Sequence, residues 1–226
     1  MSLTTYLIYL AILMILPLLA QGKVKSTYAK YSRIPIESQM NGVQVARRIL
    51  DDNGLYDVQI EEVAGTLTDH YDPRKKVVRL SQNNARGHSM AAAAVAAHEV
   101  GHALQDAEDY AFLKFRSALV PLASFGSGTA VWIVIAGILF NMMNLALVGV
   151  VFMAFAVLFQ LVTLPVEFNA SSRAMDQLIQ TGILHREEES ATKKVLNAAA
   201  LTYVAATVVA VAELLRFLFI ILGNRD

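Results

Sequence analysis

Residues 90–107, MAAAAVAAHEVGHALQDA, decide the fold of this chain. Ser89 is a good N-cap residue, so the pattern predicts a long helix from about Met90 to Ala107. Its first two turns consist almost entirely of small residues, which favours close packing in a core. Residues 98–102 then place two histidines four positions apart, with a glutamate between them. Positions four apart lie on one face of an α-helix, so both imidazoles can reach the same metal ion.

This five-residue stretch matches the H-E-x-x-H pattern. Zn²⁺ accepts imidazole nitrogen readily, so we expect His98 and His102 to be metal ligands. Glu99 lies beside the first ligand, where it can accept a proton from water as a general base. The alternative is a surface helix that happens to carry two histidines. The apolar surroundings argue against it, because burying these groups without partners would be costly.

A catalytic zinc site normally has three protein ligands. The chain contains no cysteine, so the third must be another histidine or a carboxylate. The candidates are His70, His88, His185, Asp106, Glu108, Asp109 and Glu167. We favour Glu167, because it follows the third apolar segment and opens the helix-like stretch EFNASSRAMDQLIQ. The alternative for Glu167 is a carboxylate at a helix start, where the helix dipole favours negative charge. Zinc is the expected ion, although this ligand set also suits other divalent metals.

The composition indicates a membrane protein: 55% of residues are hydrophobic and only 17% are charged. The formal net charge is zero, which argues against a nucleic acid partner. Four apolar segments are each about long enough to cross a bilayer, at roughly 3–20, 117–140, 145–164 and 199–222. For the first, a cleaved signal peptide is the alternative, but no basic residue precedes it. For the second and third, the alternative is a soluble helix pair, which so short a chain could hardly bury.

The remaining sequence predicts a small α+β part. Residues 39–55 form an amphipathic helix pattern, whose apolar face we assign to Val43, Ala46, Ile49 and Leu50. Residues 66–71 and 76–80 flank a turn signal and predict a β-hairpin. We therefore expect a mainly α membrane protein with about four transmembrane helices and a small α+β part. Its predicted divisions are an anchor (1–22), a catalytic part (23–116), a transmembrane helical hairpin (117–164), a second catalytic part (165–198) and a C-terminal transmembrane helix (199–226).

Charge predicts the orientation in the membrane. Basic residues follow the first and third apolar segments, and the turn between the second and third has none. The positive-inside rule then places residues 21–116 and 167–198 in the cytoplasm and both termini outside. Arg225 alone is a weak signal against this. We expect a multi-pass protein of the cell membrane.

HEVGHALQ together with the downstream PVEFNASSRA resembles the bacterial membrane-bound neutral zinc metallopeptidases, the YugP-like family. The resemblance covers nearly the whole chain, including residues 67–81, LTDHYDPRKKVVRLS. More distantly, the chain is similar to the HtpX and CAAX-processing membrane metallopeptidases. The resemblance implies a zincin-like catalytic part of the gluzincin type, with His98, His102 and Glu167 as zinc ligands and Glu99 as catalytic base. It also implies a peptide or a membrane protein as the substrate.

The chain departs from those distant relatives at one position. They often carry an aspartate four residues after the ligand glutamate, where it supports a metal-bound histidine. Here that position is Ser171. We therefore expect the support to come from elsewhere, with Asp106 and Asn169 as candidates.

Arg173 and the hairpin have further predicted roles. Arg173 lies six residues beyond Glu167 and can stabilise an oxyanion; the alternative is a cytoplasmic anchor or an ion pair. The segment Thr66–Tyr71 can bind an extended peptide as an added strand.

The function that we predict is peptide bond hydrolysis by a zinc-activated water. The alternative is a membrane assembly or adaptor protein with a structural or inactive metal site. In that case the apolar C-terminal helix, with its Glu213 and Arg216, binds a membrane-protein partner or a second copy of the chain. A transporter has little support, because the apolar segments hold too few polar groups.

Overall fold

The computed structural model describes the backbone of residues 3–223, together with their side chains except at residues 3 and 125–127. The extreme ends of the predicted terminal segments, including Arg225, lie outside the described residues. The described part contains seven helices and three strands. In chain order they are α1 (Leu3–Tyr31), α2 (Gly42–Asp52), β1 (Gln59–Val63), β2 (His70–Asp72), β3 (Val77–Ser81), α3 (Gln82–Arg86), α4 (Met90–Ala107), α5 (Ala111–Leu139), α6 (Met143–Gln180) and α7 (Arg186–Gly223).

The chain divides into two compact units. The apolar unit comprises Met1–Pro17, Ala111–Pro165 and Tyr203–Asp226. The polar unit comprises Leu18–Tyr110 and Val166–Thr202. The polar unit contains the sheet, helix α4 and Glu167.

The apolar unit contains apolar parts of the long helices. Helices α1, α6 and α7 are long and apolar enough to cross a membrane. Helix α5 adds a fourth span if its halves, Ala111–Ser124 and Gly128–Leu139, count together. A mainly helical protein with three or four apolar spans is therefore confirmed.

Within the apolar unit, α5 and α6 pack closely through small residues. A Cβ atom on Gly137 would overlap the backbone of Ala146. Ala130 and Val134 of α5 are fully buried there, as is Ala146 of α6. The glycine therefore lets the two helices approach at the turn that joins them.

The long helices extend beyond the apolar segments that the sequence analysis identified. Helix α6 continues through Pro165 without interruption, so the prediction that a new helix opens at Glu167 is wrong. The alternative of a helix-start carboxylate for Glu167 is wrong for the same reason. Proline removes its own N–H from the helix ladder and crowds the carbonyl group four residues before it, so a continued helix needs other stabilisation. Val166, Ala170 and Ala174 are fully buried just beyond it, and their packing stabilises the continued helix.

Helix α2 buries a different face from the predicted one. Asn41 caps it and forms a capping box with Gln44. Ala46, Ile49 and Leu50 are buried as expected, but Val43 is 38% exposed and Val45 is buried in its place.

The three strands form one sheet in the order β1-β3-β2. Strands β2 and β3 pair antiparallel with Tyr71 opposite Val78, so the predicted hairpin is confirmed, although β2 begins at His70 rather than at Thr66. Strand β1 pairs parallel with β3, a contact that the sequence analysis did not predict. The central strand β3 is largely buried, and β2 lies at an edge of the sheet.

Candidate metal centre

Helix α4 is the core of the polar unit. The Ser89 hydroxyl accepts a hydrogen bond from the Ala92 N–H, so the predicted N-cap is confirmed. Gly101 faces helix α6, where an added Cβ would lie only 2.5 Å from the carbonyl oxygen of Ala170. This close approach brings the histidine face of α4 against the part of α6 that carries Glu167.

Three side chains converge between these two helices. Oε2 of Glu167 lies 3.3 Å from Nε2 of His98 and 3.6 Å from Nε2 of His102. The two imidazole rings stand edge to face with centroids 4.8 Å apart. The side chains are only 15%, 11% and 3% exposed for His98, His102 and Glu167, respectively.

Two of the spacings between these donor atoms fit a zinc ion, and the ligand atoms of all three residues lie within 4.8 Å of one another. Two ligands about 2.1 Å from one tetrahedral zinc ion lie roughly 3.4 Å from each other. The distances from the Glu167 oxygen to the two histidine nitrogens, 3.3 and 3.6 Å, bracket that value. Two imidazoles and one carboxylate are also the donor types that zinc accepts. These three residues form the group that can hold a metal ion in the described part of the chain.

Glu99 lies between the two histidines on α4 and is only 8% exposed. Burial raises the pKa of its carboxyl group to about 7. The positive field of His98 and a hydrogen bond from the Tyr71 backbone oppose this rise. The bond to Tyr71 also places Glu99 beside the edge strand β2.

Each histidine has a polar contact on its other ring nitrogen. Nδ1 of His102 lies 3.0 Å from Oε1 of Gln105, and Nδ1 of His98 lies 3.2 Å from the hydroxyl of Ser171. The Gln105 contact was not predicted, and the expectation that support would come from residues other than Ser171 is wrong for His98. The signal was spacing: Gln105 follows His102 by three positions, and Ser171 follows Glu167 by four, so each lies on the same helix face as its neighbour.

The two residues predicted to support the histidines, Asp106 and Asn169, contact other side chains instead. Asp106 accepts a hydrogen bond of 2.9 Å from the Tyr71 hydroxyl. Burial, followed by this bond, raises the pKa of Tyr71, so the hydroxyl keeps its proton. Asn169 contacts Gln105 rather than a histidine, and thus lies one step further from the metal group.

Arg173 is held by two partners. Nη1 and Nη2 each donate to a carboxylate oxygen of Glu108 at 2.7 Å, and Nε donates to Asn169 at 2.8 Å. The ion pair considered in the sequence analysis is therefore present. Stabilisation of an oxyanion by Arg173 remains a prediction.

Two other histidines lie away from the metal group. Nδ1 of His70 is 2.9 Å from the carbonyl oxygen of Thr68, and that of His88 is 2.6 Å from the carbonyl oxygen of Gln39. Both side chains are bound to loop backbone, and neither belongs to the group that can hold a metal.

Comparison with known proteins identifies the family of this chain. The sequence profile of a family described as "Putative neutral zinc metallopeptidase" matches residues 6–222. The chain is 52% identical over 207 residues to "Putative membrane protease YugP" of Bacillus subtilis (strain 168), which is 92% of each of the two chains. No solved structure matches this chain. The name of this relative and the apolar helices together support a membrane protein. The chain therefore belongs to the neutral zinc metallopeptidase family that its two motifs, HEVGHALQ and PVEFNASSRA, had indicated.

Proposed function

We propose that this protein is a zinc-dependent endopeptidase that hydrolyses peptide bonds in peptides or membrane proteins. The observation that carries the proposal is the convergence of His98, His102 and Glu167, with Glu99 beside them on α4. The two imidazoles and the Glu167 carboxylate would hold the ion. When bound, zinc supplies Lewis-acid chemistry that lowers the pKa of water to about 7.

Glu99 would move the proton. Its carboxylate accepts a proton from the attacking water and passes it to the amine of the leaving peptide. It shares helix α4 with two of the ligands, so the helix fixes its position relative to them. The surroundings exclude most bulk water, which strengthens charge interactions at the reacting groups.

The edge strand β2 would hold the substrate in a zincin-like arrangement. Strand β2 lies at an edge of the sheet, where an extended chain would pair with it, and a backbone hydrogen bond joins Tyr71 to Glu99. Main-chain pairing of this kind binds a peptide backbone without requiring many side-chain pockets. N-methylation of alternate amides in a cleaved peptide should therefore raise its KM. Unchanged cleavage of the methylated peptide would contradict strand pairing.

We also propose that the protein is a multi-pass cell membrane protein whose polar unit lies in the cytoplasm. The support for the orientation is the positive-inside pattern, and the predicted divisions at residues 22, 116, 164 and 198 follow from the apolar segments. The chain has no cysteine, so single cysteines can report the topology cleanly. A membrane-impermeant maleimide should label Met142→Cys, in the turn before α6, on intact cells. It should label Lys23→Cys only after lysis, and the reverse result would invert the topology.

The central test of the function is the Glu99→Gln variant. It should retain zinc, measured by mass spectrometry of the metal content, and lose peptide hydrolysis. Glu108→Gln, which neutralises a carboxylate at the C-cap of α4, is the matched control and should remain active. Full activity of Glu99→Gln would refute the mechanism. A wild-type protein that binds zinc but cleaves no peptide would instead support the adaptor alternative.

A further inference from the structure

Gln105 is a completely buried polar side chain on helix α4. It lies one turn beyond His102 and uses both ends of its amide group. Oε1 faces Nδ1 of His102 at 3.0 Å. Nε2 donates to the carbonyl oxygen of Val166 at 2.8 Å and to Oδ1 of Asn169 at 2.9 Å.

The chemistry of these neighbours fixes which way the amide points. The carbonyl oxygen of Val166 can only accept a hydrogen bond, so the Gln105 atom facing it must be the NH₂ group. Asn169 gives a second, independent constraint. Its Oδ1 accepts from Nε of Arg173, which is only a donor, so that atom of Asn169 is also an acceptor. A flipped Gln105 amide would place oxygen against oxygen at both contacts.

The fixed orientation of the Gln105 amide determines which ring nitrogen of His102 carries the proton. Oε1 of Gln105 has no hydrogen to give, so a hydrogen bond at this contact requires the proton to be on Nδ1 of His102. In the neutral imidazole, Nε2 then carries the free lone pair. Nε2 is the atom that faces Glu167, at 3.6 Å.

We propose that Gln105 is a positioning residue that holds His102 in the tautomer with its proton on Nδ1, leaving Nε2 ready to bind metal. The inference rests on the proposed function for the metal site. Its observable consequence, the position of one proton on His102, does not require a bound ion.

His98 provides an internal comparison. Its Nδ1 contacts the hydroxyl of Ser171 at 3.2 Å. A hydroxyl can donate or accept, so Ser171 does not select a tautomer. The two histidines therefore differ: Gln105 fixes the tautomer of His102, whereas Ser171 does not fix the tautomer of His98. Substitution of Gln105 should matter more to the site than substitution of Ser171.

The support of Gln105 extends to the protein surface. Asn169 joins Gln105 to Arg173, and Arg173 is clamped by both oxygens of Glu108. The chain of contacts begins at Glu108, the exposed C-cap of α4. It continues through Arg173 and Asn169 of α6 and ends at Gln105 of α4. Because each member holds the next, loss of Asn169 should loosen the Gln105 amide without removing it.

The test compares two variants of Gln105 in the purified full-length protein. Both Gln105→Met and Gln105→Glu lose the two hydrogen bonds that Gln105 donates to Val166 and Asn169, but only Gln105→Met also loses the acceptor for His102. Zinc affinity is measured by competition with a chelator. Residues that support a metal ligand typically contribute about 10–100-fold to metal affinity, so we expect a loss of that size in Gln105→Met. We expect a smaller loss in Gln105→Glu, although that variant should be the less heat-stable of the two.

A purely structural role predicts the opposite order, because Gln105→Glu buries a carboxylate against the acceptor oxygens of Val166 and Asn169, whereas methionine is apolar. If the variant with the lower heat stability also has the lower zinc affinity, the proposal is overturned. Ser171→Ala is the control and should weaken zinc binding less than Gln105→Met.

The second measurement is the tautomer itself, read by nitrogen NMR of chelator-treated protein labelled with ¹⁵N-histidine. Wild type and Gln105→Met are both compared in a Glu167→Ala background, because the Glu167 carboxylate otherwise competes for the His102 proton at Nε2. The signals of His102 are identified by their loss in His102→Asn. The wild type should show the proton on Nδ1, and Gln105→Met should show a mixture of tautomers. An unchanged tautomer in Gln105→Met would refute the inference, whereas a wild type that binds no zinc would refute only the proposed function. If Gln105→Met does not fold, Gln105→Ala, which also lacks the acceptor for His102, takes its place with the same two outcomes.

Discussion

Oε2 of Glu167 lies 3.3 Å from Nε2 of His98, although 69 positions separate the two residues. The approach depends on α6 continuing through Pro165 and on Gly101 of α4 packing against Ala170. The candidate metal group is therefore a property of the contact between two helices. A change at that contact should affect metal binding even when all three candidate ligands remain.

The role of Glu167 can be tested by neutralising its charge. Glu167→Gln has almost the same shape, but a neutral amide is a much poorer zinc ligand than a carboxylate. We expect zinc affinity to fall by more than the 10–100-fold that is typical for a residue supporting a ligand. Glu108→Gln is the matched control, because it also neutralises a carboxylate in the polar unit but lies outside the metal group. Equal zinc affinity in the two variants would remove Glu167 from the site.

Gly101 should tolerate no side chain. In Gly101→Ala the new Cβ would lie 2.5 Å from the carbonyl oxygen of Ala170, a backbone atom that cannot move aside. We expect α4 and α6 to separate, with a loss of about 1–3 kcal/mol in the free energy of unfolding and weaker zinc binding.

Gly22→Ala is the matched control for this prediction. Gly22 also lies inside a helix, but nothing is within 4 Å of its added Cβ. Alanine is the better helix former by about 1 kcal/mol, so this variant should be as stable as the wild type or more stable. Thermal unfolding in detergent measures the stability of both glycine variants. A Gly101→Ala variant with wild-type stability would contradict the close packing.

Much of this arrangement is predictable from the sequence. The helix of residues 90–107, its Ser89 cap and the β-hairpin follow from local patterns, which depend on neighbouring residues. The convergence of Glu167 with the histidines was expected from chain order together with the family resemblance. The expectation that Asp106 supports a histidine was not met, because the hydroxyl of Tyr71 contacts it instead.

Other features depend on contacts that no local pattern contains. The parallel pairing of β1 with β3 joins residues separated by a turn and another strand, so it has no signature in either strand alone. Proline at position 165 suggests a helix boundary, and only packing on both sides overrides it. In the sequence Gln105 is an ordinary polar residue, because only its contacts with Val166 and Asn169 in the folded protein define the orientation of its amide.

The ion pair between Glu108 and Arg173 gives a prediction about pH. The hydrogen bonds from Arg173 hold the pKa of Glu108 below its usual value of 4.5. In the folded protein Glu108 therefore binds its proton less readily than in the unfolded chain. The stabilisation is fully present above pH 4.5 and is lost as the pH falls through the lowered pKa of the folded state.

The size of this contribution is small, because the Glu108 side chain is 57% exposed. Exposed pairs contribute about 0.2–1 kcal/mol. Heat stability in detergent should therefore fall slightly more between pH 5 and pH 3 in the wild type than in Glu108→Gln, which cannot titrate at this position. Identical pH dependence in the two proteins would show that the pair contributes nothing to folding.

The catalytic role of Arg173 can be separated from its structural role by removing either partner of the same ion pair. Loss of a donor to an oxyanion typically costs about 10²–10³ in kcat. All three donor nitrogens of Arg173 are engaged by Glu108 and Asn169, so we expect Arg173→Gln to act mainly through the helix contact. Its kcat should then fall by less than about 10-fold, a factor that corresponds to 1.4 kcal/mol.

Glu108→Gln is the informative partner variant, because it releases the guanidinium without removing its charge. If Arg173 only holds the two helices, both variants should show similar small losses of kcat and of heat stability. If Arg173 stabilises the oxyanion, Arg173→Gln should lose about 100-fold or more in kcat while Glu108→Gln retains it. Because the two variants break the same ion pair, a difference between them in kcat reports the chemistry at Arg173 and not the stability of the contact.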